Sequence, residues 1–225
     1  VSKKWGLDGA LHVVQPYANL SWLSTNDLDS SFRPIDALTP STRPRPLGVG
    51  RFSAVDDLAD WTILRLGVRN RLMTHRDGGT HDWLTLDTYF DAFFDDPEFS
   101  RTFSNLYNDL KWSPLPWLEL ELETQFPLFS DSNFTEVAAS SRFMVTDSLE
   151  FDLGYRFLKN HPILRDSNRL ELNAFYRINE RWGVGAYNRW EFQRDNRRKD
   201  EFGVVLSFGL KDFPSLALPI KFDTE

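Results

Sequence analysis

The chain contains no cysteine, which excludes disulfide frameworks and thiolate metal sites. It has only four histidines: His12, His75, His81 and His161. His75 and His81 flank a glycine turn, where histidines are far commoner as turn surface than as a metal pair. No serine sits in a Gly-x-Ser-x-Gly elbow, and acidic pairs recur so widely that none carries catalytic specificity. We therefore expect no enzyme, no metal site and no cofactor. No run approaches the roughly 18 consecutive apolar residues of a membrane helix, so a helical membrane protein is excluded. Basic residues are in deficit, and the formal net charge of -7 argues against nucleic acid as a partner. No signal peptide is visible at Val1, so a mature form or a fragment is expected.

What the chain does have is alternation. In Trp117 to Phe126, WLELELETQF, Leu118, Leu120, Leu122 and Phe126 share one parity while Glu119, Glu121, Glu123 and Gln125 share the other. A period of two marks a strand with unlike faces. The pattern recurs in segments of roughly ten residues separated by turn residues, as in a transmembrane β-barrel. The 15% aromatic content, with 19 Phe and 8 Trp, suits the aromatic girdles of such a barrel. The expected fold is all-β, an antiparallel transmembrane β-barrel of about ten strands, closed or part of a larger barrel. The outer membrane is the expected location.

The spacing predicts strands at Ala10–Ser24, Trp61–Thr74, Asp82–Phe94, Thr102–Trp112, Trp117–Phe129, Phe134–Thr146, Leu149–Leu158, Arg169–Ile178, Trp182–Gln193 and Asp200–Leu210. Short turns fall at Asp77–Gly79, Ser113–Pro116, Asp147–Ser148 and Asn179–Arg181. Longer connections fall at Asp95–Arg101, Ser130–Asn133, Lys159–Asn168 and Arg194–Lys199. Short periplasmic turns alternating with long extracellular loops are a barrel habit, and an even strand count returns both termini to the periplasmic side. Residues 1–210 would hold the strands and 211–225, with Pro214 and Pro219, an extended tail. Within 25–60, Pro34, Pro40, Pro44 and Pro46 forbid a regular ladder and indicate an extracellular loop or lid.

If the apolar parity faces lipid, charges of the other parity line the lumen and should pair across hairpins. A hairpin centred on Gly78 sets Arg69 against Asp87 and Arg65 against Asp91, with Arg71 also inside. One centred on Leu115 sets Lys111 against Glu119 and leaves Asp109 facing Glu121, an acidic cluster in need of a counter-charge; Glu123 shares that face. Arg142 falls against Asp152, and Glu171 against Arg189. Such ladders hold a wall together or form a polar path; Arg65, Arg69 and Arg71 would meet a phosphate-bearing cargo.

The strand Asp200–Leu210 carries Glu201, Gly203, Leu206 and Phe208 in polar, Gly, hydrophobic, aromatic spacing. This resembles the signal by which the barrel-assembly machinery recognises the final strand of its clients. Segments 15–23, 65–76, 120–128, 153–162, 176–185 and 194–214, among them QPYANLSWL and RDNRRKDEFGVVLSFGLKDFP, together resemble the C-terminal half of the lipopolysaccharide-assembly (LptD) family. The resemblance implies an outer-membrane barrel that releases lipopolysaccharide or a similar amphiphile into the outer leaflet. It also implies a plugging lipoprotein, a periplasmic bridge protein and a lateral seam with Glu201, Gly203, Leu206 and Phe208 on its edge. The family's cysteines are absent and its strand number is about twice as large, so the chain would be a C-terminal portion or a reduced relative. The alternatives are a small closed pore or structural barrel without lipid cargo, and a soluble β-sandwich in which the apolar parity faces a protein core.

Overall fold

The computed structural model describes residues 5–25, 42–48, 60–96, 101–128, 134–192, 198–208 and 216–224, with 198–199, 208 and 216–224 as backbone alone. The strands are β1 (Leu11–Leu23), β2 (Trp61–Arg76), β3 (Gly79–Asp95), β4 (Leu106–Leu115), β5 (Leu118–Phe126), β6 (Thr135–Thr146), β7 (Leu149–Lys159), β8 (Ser167–Arg177), β9 (Trp182–Phe192), β10 (Arg198–Phe208) and β11 (Leu216–Thr224). They form one sheet in sequence order, and every neighbouring pair is antiparallel. The all-β antiparallel fold expected from the alternation is present, as a barrel-like sheet that is not closed.

The turns have local causes. Asp77 and Gly78 both take positive φ, 51° and 78°, the type I′ geometry whose twist matches a hairpin. Asn160, also at positive φ, starts the β7–β8 connection. β4 runs on to Leu115, so the next turn is Pro116–Trp117 instead of Ser113–Pro116. Phe103, expected to lie in β4, stands outside it in an isolated bridge to Ala92.

Two further expectations are corrected. The 211–225 tail contains an eleventh strand, β11, whose Pro219 lies opposite Val205. Proline donates nothing to a ladder and is tolerated where a strand has only one neighbour, as β11 does here. With β11 in place, β10 pairs on both sides, so Glu201, Gly203, Leu206 and Phe208 do not lie on an open edge. Among the described residues the strand count is odd, so β1 begins at the short-turn rim and β11 ends at the opposite, long-loop rim. The start of β1 and the end of β11 therefore do not share a side, contrary to the expectation for the termini.

The register sorts side chains into two faces. Leu64, Leu66, Val68, Leu84, Leu86, Leu110, Leu120, Leu122, Phe151, Leu153, Leu170 and Leu172 fall on one, together with Val184, Phe202 and Val204. Arginines, lysine and carboxylates fall on the other. Much of the apolar face is exposed, including Leu66, Val68, Leu122, Leu153, Tyr155, Leu172 and Leu206. Most buried residues gather on the charged face near the long-loop rim, among them Trp61, Ile63, Tyr89, Asp91, Tyr107, Gln125, Glu136 and Leu158; Thr74 and Pro114 are buried at the short-turn rim. A sandwich built on the apolar parity would show the reverse.

Aromatic residues mark both rims. At the short-turn rim Trp112 packs with Trp5 and Trp83 at centroid distances of 6.1 and 5.5 Å. The Trp83 indole donates to the Trp5 carbonyl at 2.7 Å, while the Asp8 N–H donates to Thr74 Oγ1, so residues 5–8 are strapped across the ends of β2–β4. At the other rim Trp22, Phe94, Phe126 and Phe192 are exposed.

On the inner face the Tyr17 ring lies over Gly67 of the next strand, in space that a Cβ would occupy. It donates from there to Asp87 Oδ1 at 2.9 Å and faces the Arg69 guanidinium. Tyr187 covers Gly203 in the same way between β9 and β10. Gly67→Ala should displace the Tyr17 ring and cost about 1–3 kcal/mol by overpacking. Urea unfolding of the detergent-folded protein measures this, and adding Tyr17→Ala should remove most of the further loss.

Candidate functional site on the charged inner face

Three of the four arginines of β2 meet an aspartate of β3; the fourth, Arg76, donates to the Ser113 and Pro114 carbonyls. Arg65 and Asp91 are register partners, and the guanidinium donates from Nε and Nη2 to Oδ1 and Oδ2 at 2.7 and 2.9 Å. Asp91 is 2% exposed; its N–H donates to Ser104 Oγ, and Arg65 stacks over Tyr89. Arg69 and Asp87 pair at 2.6 Å, as the expected register requires. Arg71 pairs with Asp82 at 3.0 Å. Parity within β3 would not assign Asp82 to this face: a bulge at Leu72/Met73 leaves Trp83 unmatched and rephases the strand. All three arginines singled out for a phosphate are thus met by carboxylates.

The β4–β5 hairpin corrects the expected register by two residues. Lys111 lies opposite Glu121 and Asp109 opposite Glu123, because Ser113 and Pro114 bulge before the Pro116–Trp117 turn. The face is unchanged by an even shift. Lys111 reaches both Glu119 at 3.0 Å and Glu121 at 3.2 Å. The missing counter-charge for Asp109 and Glu123 comes from residue 43. Arg43 donates to Asp109 Oδ1 at 3.3 Å and its second nitrogen pairs with Glu123.

Arg43 belongs to the proline-rich connection expected to be an extracellular loop or lid. Of that connection, 42–48 lies against the inner face; residues 26–41 and 49–59 lie outside the described residues. The Arg45 carbonyl accepts from Arg65 Nη2 at 2.9 Å, and the Arg45 guanidinium lies 5.4 Å from the Trp61 ring. Ser21 Oγ donates to the Leu47 carbonyl and accepts from the Trp61 indole, both at 3.0 Å. Leu47 packs on Trp61 and Ile63. No local sequence signal marks these contacts, because they join residues from 20 to 66 positions apart.

Beyond β5 the ladder continues. Arg142 pairs with Asp152 at 3.1 Å, as expected, and also with Glu150 at 3.0 Å. Glu136 is buried and holds Gln125 Nε2 at 2.6 Å and Arg156 Nε at 2.8 Å. Glu171 accepts from Arg189 Nε and Nη2 at 3.1 and 3.2 Å, and Arg189 reaches Glu201 at 3.3 Å. Glu136 and Arg156 are diagonal neighbours, Glu136 lying opposite Leu158 and Arg156 opposite Ala138, so direct cross-strand pairing in the sequence does not reveal their contact. At that rim His161 packs edge-on to Phe134 at 4.6 Å, and its Nδ1 accepts from the N–H groups of Ile163 and Leu164. Burial pushes the His161 imidazole below its ordinary pKa, which keeps Nδ1 free to accept.

Among the described residues no group of three or more His, Asp or Glu is arranged to hold a metal ion. What remains is a wall of paired charges with open hollows over it, and a strap tied to its acidic stretch. No family model matches the chain, and no curated protein or solved structure matches it either.

Breaking the buried Arg65–Asp91 pair from one side should be far costlier than removing it whole. Asp91→Ala should lose about 3–5 kcal/mol, and Arg65→Met with Asp91→Leu should recover much of it. Arg71→Ala, at an exposed pair, should lose about 0–1 kcal/mol. Denaturant midpoints of the four proteins decide this.

Proposed function

We propose that this chain forms part of the wall of an outer-membrane β-barrel of the lipopolysaccharide-assembly type, moving lipopolysaccharide or a similar amphiphile into the outer leaflet. The observation that carries the reading is the pair of unpaired edges. β1 and β11 have no partner on their outer sides among the described residues, and in an eleven-strand antiparallel sheet they run in the same direction. Antiparallel closure then needs an odd number of further strands between them. A second copy cannot supply this while keeping its long loops on the same side of the membrane, since it would bring β1 beside β11 in parallel. The sheet therefore suits a wider barrel, and lumen width grows with strand number.

The membrane half of the reading rests on the exposed apolar face. On β7 the residues Leu149, Phe151, Leu153, Tyr155 and Phe157 share that face. They cover about 27 Å along the strand, or about 20 Å of height at the usual tilt, near the ~25 Å band of outer-membrane barrels. Trp5, Trp117 and Trp182 stand exposed at one rim and Trp22 at the other. Amphipathic aromatics favour the headgroup level.

In this reading the barrel-assembly machinery inserts the chain, although the spacing Glu201, Gly203, Leu206 and Phe208 lies on β10 with β11 beyond it, so it does not mark the last strand. A plugging lipoprotein would occupy the lumen and a periplasmic bridge would deliver the lipid. One observation favours the alternative of a structural barrel without lipid cargo: the 42–48 strap already lies over the inner face.

Photocrosslinking in living cells separates the two. Probes at Leu20 and Val204 on the apolar face near the two edges, and at Arg69 inside, should capture lipopolysaccharide in the transport reading. Capture of nothing by any probe, in protein that migrates heat-modifiably as a folded barrel, would leave the structural barrel.

A further inference from the structure

The inner face over β5–β8 carries an open hollow of about 390 Å³. Its floor is made of small residues, Ala138, Ser140 and Gly154, and its walls of charged ones. Most of those charges are satisfied: Arg142 by Asp152 and Glu150, Glu119 by Lys111, Glu171 by Arg189. Arg156 and Arg169 differ. They are register partners on β7 and β8, so two guanidinium stems stand directly opposite each other. Like charges so placed are destabilising.

Nothing described neutralises the pair fully. Arg156 spends Nε on Glu136 at 2.8 Å, and neither of its terminal nitrogens donates to a described residue. Arg169 makes no hydrogen bond to a described residue; its nearest carboxylate oxygen, on Glu171, is 3.8 Å away and already accepts from Arg189. The register partner of Arg169 on β9, Glu191, accepts instead from Ser167 Oγ and the Asn168 N–H. A guanidinium carries five donors in a planar fork. Two such forks, a free hydroxyl at Ser140 and a floor without bulk form a ready-made receptor.

The geometry points to a phosphate-binding site between Arg156 and Arg169, taking a doubly charged phosphate group over the Ser140 floor. A dianion matches two opposed guanidinium forks and relieves their repulsion, which a single carboxylate does only in part. The triad Arg65, Arg69 and Arg71 does not compete, since each is paired with an aspartate. The row Ala138–Arg156–Arg169 lies two or three residues from the strand ends at the long-loop rim, so the phosphate would sit just inside that mouth. This goes beyond the transport reading and does not depend on it, because a barrel with no lipid cargo would still bind phosphate here.

The test is calorimetric titration of the full chain, folded in an uncharged sugar detergent, with two probes: inorganic phosphate and short-chain phosphatidic acid below its micelle concentration. Saturable binding of both, weakened about tenfold or more by Arg169→Gln, is expected for a site that reads the phosphate itself. Binding of phosphatidic acid alone, with the same loss, would support the site and assign it to a lipid headgroup. Arg177→Gln, at an exposed arginine outside the hollow, should leave affinity unchanged. If Arg169→Gln does not fold, judged by heat-modifiable migration, Arg169→Lys keeps the charge, loses the fork and should still weaken binding several-fold. No binding of either probe, equal affinity in the Arg169 variant, or an equal loss in Arg177→Gln would overturn the proposal.

Discussion

Opposite charges facing each other across neighbouring strands are the constraint from which the rest of this sheet follows. Apolar parity alone fixes register only to within an even number of residues, because a shift of one exchanges the faces while a shift of two restores them. Pairing Arg65 with Asp91, Arg69 with Asp87 and Glu171 with Arg189 removes that ambiguity. Where a charge on one strand has a single matching partner opposite, the register is unique. A buried carboxylate such as Asp91, held by the half-buried Arg65, makes the choice expensive to violate.

The same logic explains what was legible in the sequence. Four hairpins were readable from alternation, and in three of them the charge pairs named from arithmetic are the observed ones. The fourth carries Glu119, Glu121 and Glu123 at intervals of two, so Lys111 finds a carboxylate in either register and the charges cannot choose. There the bulge at Ser113–Pro114 decides, and the expected register was two residues out. Strand β11 was hidden by Pro219, which argues against an interior strand and says nothing against one with a single neighbour. Arg43 was hidden because its partners Asp109 and Glu123 are reached through a long connection, not a turn.

Neutralisation is uneven along the wall, and the unevenness bears on function. The β2–β3 ladder is complete within itself. The β4–β5 stretch is acidic and borrows its counter-charge from the 42–48 strap, which ties the connection to the interior. The β7–β8 stretch holds two opposed arginines with a deficit of acceptors. Complete ladders are structural, whereas a borrowed charge or an unmet one leaves a place where a segment or a ligand can exchange. The outer edges of β1 and β11 are the backbone counterpart, since no strand among the described residues pairs with them.

All of this requires that the apolar face meet hydrocarbon and the charged face meet water. The absence of native cysteine allows a clean test, with single cysteines placed in turn from Leu118 to Glu123 and spin-labelled in lipid vesicles. Labels at Leu118, Leu120 and Leu122 should relax with dissolved oxygen, and labels at Glu119, Glu121 and Glu123 with a water-soluble nickel chelate. The opposite alternation, or equal access to both reagents at every position, would contradict the account.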